Sequence, residues 1–268
     1  MLNYLSQLHD IALFLILSGF FIAISVISVP IVQKFIPLDL RYKYNSVVGN
    51  ISALIGVIYS VLVGLTALYL FNNNSYTANA VQHEASALAN VYRDSQWLQE
   101  PTKSKVDTAI NQYLNEIIHT EWPTMQAGRD LDQTGEHIID SISNDVILYI
   151  QQHPKELLIE RDMLDEIKSL YNSREQRIHM SYAALTSEIW EVILIGTFLT
   201  IAINFLYRMN IKLHIIIIIP TALMVSSMLF LLVTLDRPFQ GEFIIGTDAF
   251  QSILTHINDK RVNPLMRV

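Results

Sequence analysis

The sequence predicts an all-α membrane protein: four transmembrane helices, with a membrane-proximal helical bundle between the second and third. Three observations carry this. Apolar residues make up 51% of the 268 residues and charged residues only 16%, against about 25% charge in an ordinary soluble domain. The apolar residues are gathered into four long uncharged runs. Between the second and third runs lies a polar stretch, residues 72–191, in which no sustained β alternation occurs.

A helix needs about 20 mostly apolar residues to cross the hydrocarbon core. Residues 11–33 carry no charge and form the first span. No Lys or Arg precedes this run, its apolar core is too long for a signal peptide, and no small-x-small site closely follows. The second span is 47–71, with Asn72–Asn74 expected to break the helix at the interface. The third, 192–207, is the shortest; Trp190 and Tyr207 stand at its ends, where interfacial aromatics belong. The fourth is 213–235, with Pro220 inside it expected to kink it. A tail, 236–268, carries a short amphipathic helix from Thr247 to Asn258, with Phe250, Ile253, Leu254 and Ile257 on one side.

Residues 72–191 hold 9 basic and 19 acidic residues. Neither Gly nor Pro occurs between Gly64 and Pro101, or between Pro154 and Gly196. The second span is therefore predicted to continue as a stalk, and another stalk to run into the third. Two more helices are expected, from Thr102 to Glu121 and from Asp132 to Gln152, the first ending at Trp122-Pro123. Short connections between them favour an antiparallel bundle of about four helices.

Several function classes fall away. There is no cysteine, hence no disulfide scaffold, thiolate metal site or cysteine nucleophile. A net charge of −7 argues against nucleic acid as a partner. His83-Glu84 opens like a zincin helix, but position 87 is Ala. Glu116 and His119 form a single Glu-x-x-His, where a di-iron bundle needs two. No phosphate loop or nucleophile elbow is present, so neither a cofactor nor an enzymatic activity is expected.

Basic residues near the span ends set orientation. Lys34, Arg41, Lys43, Arg208 and Lys212 lie on the two short loops; Arg177 and Arg237 lie opposite. The short loops are thus placed in the cytoplasm, and the N-terminus, the central region and the tail outside.

The second span carries a small and polar stripe at steps of three and four: Asn45, Gly49, Ser52, Gly56, Tyr59, Ser60, Gly64 and Ala67. One reading is close helix packing, because small residues let backbones approach. The other is a water-facing wall. That second reading makes Gly49, Ser52, Gly56, Tyr59 and Ser60 the pore-lining residues, with a ring of Tyr59 side chains as the narrowest point of an oligomer. Thr197, Thr200 and Asn204 give the third span a polar face, read as packing glue. After the fourth span, Leu235-Asp236-Arg237-Pro238-Phe239-Gln240-Gly241 reads as a helix stop with an arginine reaching the interface.

These features resemble the bestrophin-like membrane family of unknown function, found mainly in bacteria. The residues that carry the resemblance are Asn45…Gly49, Gly56-x-x-Tyr59, Glu84-Ala85-x-x-Leu88, Tyr113, Glu121-Trp122-Pro123, Arg174-x-x-Arg177 and the Leu235–Gly241 motif. It covers roughly residues 40–255. A proline that often precedes the tryptophan entering the third span is absent before Trp190. The resemblance implies four spans and an oligomeric channel with the second span at the pore. It also implies a homo-oligomer in the lipid bilayer of a bacterial inner membrane, passing inorganic ions. Glu121, Trp122, Pro123, Arg174, Arg177, Asp236, Arg237 and Pro238 are expected to be structural. Bestrophins keep their central region in the cytosol and conduct anions, whereas the charge count here places an acidic region outside. The alternative function is a sensor or accessory protein that binds a partner through that acidic region.

Overall fold

The computed structural model describes residues 10–35, 44–153, 157–182, 184–207, 209–239 and 245–262. Regular structure among the described residues is helical. In chain order the helices are α1 (Asp10–Phe35), α2 (Asn45–Ser95), α3 (Thr102–Glu116), α4 (Trp122–Gln126), α5 (Thr134–Gln152), α6 (Leu157–Ser181), α7 (Ser187–Asn204), α8 (Ile211–Leu235) and α9 (Asp248–Val262). A π-helical turn, Ile117–Glu121, joins α3 to α4. Four helices are long and apolar enough to cross a membrane: α1, α2, α7 and α8. The chain is an all-α membrane protein, and its helices form two compact units, with α2 contributing its first part to one and its second part to the other.

In the first unit α8 packs against α1 and against α7. A core of Tyr59, Val63, Leu70, Trp190, Ile193, Ile201, Val225, Leu229 and Leu232 fills the interior. The Ser18 and Ser226 hydroxyls meet at 3.1 Å between α1 and α8. Leu54, Val57, Ile58, Val61, Leu65 and Leu68 form an exposed apolar face on α2, as a helix wall in hydrocarbon requires. In the second unit α5 packs on α3 and α6, and α9 packs on α3. Its core includes Val91, Ile110, Leu114, Ile139, Ile142, Val146, Leu170 and Phe250.

Three boundaries differ from the sequence expectation, each for a physical reason. First, α2 runs unbroken through Asn72–Asn74 for 51 residues. Asparagine costs only about 0.7 kcal/mol in a helix relative to alanine, less than the cooperative propagation of a long helix absorbs. Second, no continuous stalk joins α6 to α7, although the break contains neither Gly nor Pro. The carboxylate of Asp236, at the end of α8, accepts hydrogen bonds from Leu185 N (2.6 Å) and Trp190 Nε1 (3.2 Å). Thr186 beside them is extended, at φ −66° and ψ 155°. A side chain distant in sequence thus holds the extended segment that leads into α7. Third, the helix after Thr102 does not stop at Trp122-Pro123. It widens into the π turn, where Trp122 N–H bonds Ile117 O, and continues with Pro123 at the start of α4.

Asp236 is buried, and both of its donors lie in the interior. Asp236→Ala should lower stability by about 2–4 kcal/mol, because two buried N–H groups lose their acceptor. Unfolding in detergent measures this. Asp236→Asn, which keeps an acceptor oxygen, should cost less; an unchanged melt for Asp236→Ala would show that these two bonds do not hold the start of α7.

Candidate functional site

The second unit encloses a buried charge cluster assembled from α2, α3, the π turn and α6. Arg177 is fully buried. Its Nε donates to Glu84 Oε2 at 2.6 Å and its Nη2 to Glu84 Oε1 at 3.0 Å, a bidentate pair. The same Nη2 donates to Glu121 Oε2 at 2.7 Å. Arg174, one turn earlier on α6, donates from Nη1 to the same oxygen at 2.7 Å. The Tyr113 hydroxyl donates to Glu84 Oε1 at 2.7 Å, and Met125 Sδ accepts from Arg177 Nη1 at 3.5 Å. Two carboxylates and two guanidinium groups leave the cluster neutral, which buried charge requires.

Electrostatics follow from that enclosure. Burial pushes the Tyr113 phenol well above the ordinary tyrosine range, and the Glu84 carboxylate adds to the effect. For Arg177 burial works against the charge, but Glu84 and then Glu121 outweigh it and hold the guanidinium charged beyond the usual arginine value.

Aromatic packing closes the cluster. The Arg177 guanidinium lies 5.5 Å from the centre of the Trp122 ring, within cation–π range. Trp122 packs edge-on against Phe239 at 5.3 Å and Phe250 at 5.8 Å, and its Nε1 donates to Ile245 O at 3.1 Å. The π turn explains how Glu121 and Trp122 both point inward. It adds a residue to one turn, so the buried face of α3, Val106, Ile110, Tyr113 and Ile117, continues through Glu121, Trp122 and Met125. Gly135, the second residue of α5, makes room on the other side. A Cβ there would stand 2.8 Å from Arg174 Cζ and Nη1 and closer still to Glu121 Oε1. Pro123 is exposed beside this cluster. The cluster is buried and charge-neutral, with Glu121 Oε1 2.5 Å from Arg174 Nη1, so it fastens helices.

In the first unit the five stripe residues do not share one environment. Tyr59 is 4% exposed and lies in the core. Its hydroxyl lies 2.7 Å from Thr197 Oγ1 on α7, and its ring covers Gly196, where a Cβ would come within 2.6 Å of Tyr59 Cδ2. Gly49 sits near the Tyr207 side chain, Gly56 faces open space, and Ser60 is exposed with its hydroxyl bonded back to Val57 O. Ser52 is half-buried. On the third span, the Thr200 and Asn204 side chains bond back to their own helix, at Gly196 O and Thr200 O; of the three side chains, that of Thr197 makes the interhelical bond, while the Asn204 carbonyl lies 2.9 Å from His214 Nε2 on α8. Asp236 and Pro238 are buried and Arg237 half-buried. Sequence reasoning missed Gly135 and Gly196 as contact residues. Each is a glycine inside or at the start of a helix, and that is the signal that marks such a notch.

Four apolar helices and an all-helical interior define a multi-pass helical membrane protein. The chain belongs to the bestrophin-like family: the Bestrophin-like domain matches residues 19–250. Among curated proteins nothing matches the sequence. Among solved structures the chain is similar to a variant bacterial bestrophin homologue from Klebsiella pneumoniae, at 11% identity and TM-score 0.65, over 92% of this chain and 99% of that one. It is also similar to a variant membrane protein, at 11% identity and TM-score 0.67, over 90% of this chain and 97% of that one. At these identities the likeness establishes the fold.

Removing Arg177 should be costly, because Glu84 would stay buried without its partner. Arg177→Met should lose about 3–5 kcal/mol, and the double variant Arg177→Met/Glu84→Gln should recover part of that. A double-mutant cycle on detergent unfolding measures the coupling; strictly additive losses would contradict the clamp. Gly135→Ala should lose about 1–3 kcal/mol from the same cluster through overpacking.

Proposed function

We propose that the chain is one subunit of an oligomeric, ion-conducting membrane protein, with α2 facing the central axis. Membership of the bestrophin-like family supports this, as does the similarity to the Klebsiella pneumoniae bestrophin homologue. The observation that carries it is the small face of α2. A Cβ at Gly56 or Gly64 would meet nothing within 4 Å, and Ser60 between them is exposed. Glycine inside a helix costs about 0.5–1 kcal/mol relative to alanine, and a lipid-facing wall gains nothing in return. That face therefore meets protein or water. In an oligomer, Gly49, Ser52, Gly56 and Ser60 give an axis with room and hydroxyls for ions, while Tyr59 stands behind them. The setting we propose is a bacterial inner membrane, with lipid, further copies of the chain and inorganic ions as partners.

A second reading, partner binding through the acidic region, is supported by a surface hollow of about 340 Å³. Asp94, Asp162, Asp165, Glu166 and Arg93 line it beside Trp97, which is 72% exposed. Mass measurement in detergent separates the two readings. The channel reading expects a closed oligomer, with Gly56→Leu keeping assembly and reducing ion flux in liposomes by at least about tenfold, as expected for a side chain obstructing a selectivity path. A monomer, or unchanged flux through assembled Gly56→Leu, would leave partner binding as the function.

For orientation, the basic-residue count supports an external central region. A cysteine replacing Asn144, which is exposed on α5, should react with an impermeant thiol reagent in intact cells, and one replacing Asp39 should not. The opposite labelling pattern would put the central region in the cytoplasm.

A further inference from the structure

We infer that the ends of α1 and α8 that carry Gln33 and Lys212 form a headgroup site for an anionic phospholipid. The inference is independent of the channel reading. It starts from a donor that lacks an acceptor. The Gln33 side chain is half-buried, and its amide nitrogen is buried with no hydrogen-bond partner. A buried donor left in that state costs free energy, unless an acceptor from outside the chain meets it. Two side-chain contacts fix how α1 and α8 run past each other. Phe14 packs edge-on against Phe230 at 5.5 Å. One turn further along α1, and one turn back along α8, Ser18 meets Ser226 at 3.1 Å. The helices are therefore antiparallel in a single register, which sets Gln33 level with the first turn of α8. At about 100° per residue, Gln33 lies within about 60° of Ser18 around α1, and Lys212 within about 40° of Ser226 around α8. Both stand on the seam, at the same end.

The chemistry of that end is one-sided. Lys34 stands in the last turn of α1 and Lys212 in the first turn of α8, and both are exposed. Asn210 caps α8, its side chain accepting from Lys212 N at 3.0 Å, so the positive end of the helix dipole adds to the two ammonium charges. Among the described residues of the first unit the carboxylates are those of Asp10, Glu188, Glu191 and Asp236. Asp10 opens α1 and Asp236 follows the end of α8. Glu188 and Glu191 flank Trp190, which bonds Asp236. All four therefore belong to the far end, and among the described residues no carboxylate answers Lys34, Lys212 or the Gln33 amide. Along the same helix ends the exposed side chains Ile31, Phe35, Leu213 and Ile216 make an apolar wall. A ligand with anionic oxygens at one end and acyl chains at the other meets both needs: oxygens accept from Gln33 Nε2 and the lysines, and chains cover the wall. Free phosphate meets the first need alone. Basic residues beside spans attract anionic lipid, and the basic-residue count supports a cytoplasmic setting for this end.

Protein in detergent is titrated with dioleoyl-phosphatidylglycerol, with dioleoyl-phosphatidylcholine and with inorganic phosphate, and bound molecules are counted by native mass spectrometry. Phosphatidylglycerol should bind at least about tenfold more tightly than phosphatidylcholine, as two lysines near anionic lipid provide. Lys212→Gln should reduce that preference by about fivefold, the share of one lysine. Gln33→Leu should weaken phosphatidylglycerol binding by about tenfold, as losing a hydrogen bond to a charged group does. Lys168→Gln, at an exposed position of α6, should change neither. A melt gives the second readout. Without lipid, Gln33→Leu should be at least as stable as the parent, because the donor without an acceptor is gone; added phosphatidylglycerol should then stabilise the parent more than the variant. Equal binding of the two lipids by the parent overturns the site, as does a preference that survives both Lys212→Gln and Gln33→Leu. Inorganic phosphate that displaces phosphatidylglycerol at equal concentration assigns the site to free phosphate and overturns the lipid reading. If Gln33→Leu and Asp39→Asn lower the lipid-free melt equally, the acceptor is the chain's own carboxylate and the inference falls.

Discussion

The second unit depends on one interaction, the bidentate pairing of Arg177 with Glu84. A guanidinium with no exposed surface is tolerable only when its donors are met, and Glu84, Glu121 and Met125 meet them from three directions. Other features then follow as requirements. Glu121 must face inward, which the π turn achieves. Trp122 comes with it and covers the guanidinium. α5 must approach closely, which a residue with a side chain at position 135 would prevent. A pair of this kind contributes little net stability compared with apolar packing of the same volume. Its effect is on specificity, because a helix register that separates Glu84 from Arg177 strands a buried charge.

The first unit meets the same constraint with lighter means. In hydrocarbon each unsatisfied polar group costs several kcal/mol, and several polar side chains of this unit either bond back to their own helix or find one partner across an interface. Ser60, Thr66, Thr200 and Asn204 do the former. Tyr59 with Thr197 and Ser18 with Ser226 do the latter. Asp236 is the costliest member, a buried carboxylate, and it accepts two donors that fix the start of α7. The Leu235–Gly241 motif therefore has a structural reason for its aspartate that a helix stop alone would not demand.

Much of this fold was legible because hydropathy is a local property. The four spans follow from uncharged runs, and the helices of the second unit from apolar spacing between prolines. Boundaries set by tertiary contacts were not legible. Nothing near Ala184–Thr186 announces the end of a helix, since the residue that holds this segment is Asp236, far along the chain. Asn72–Asn74 look like a break only when local propensity is weighed without the length of the helix around them. The same distinction applies to the site. Glu121, Trp122, Arg174 and Arg177 stood out by type and spacing, but the role of Gly135 is visible only once Arg174 is placed against it.

Tyr59 shows how residues on one side of a helix can stand in different environments. Steps of three and four do place Gly49, Ser52, Gly56, Tyr59 and Ser60 on one side of α2, but that side spans roughly 100°, wide enough to meet two environments. A large aromatic and a glycine a turn apart serve different needs. The aromatic gains by burial, so it belongs at the edge turned to its own protomer. The glycine gains only where something must approach or pass, so it belongs at the opposite edge. Periodicity groups such residues, and side-chain size then sorts them. In this chain the sorting follows volume: Tyr59 sits in a notch cut by another glycine, Gly196, while Gly56 opens onto unfilled space. On α2 the bulky residue is seated in the protomer's interior, and the small ones stand beside it with room to spare.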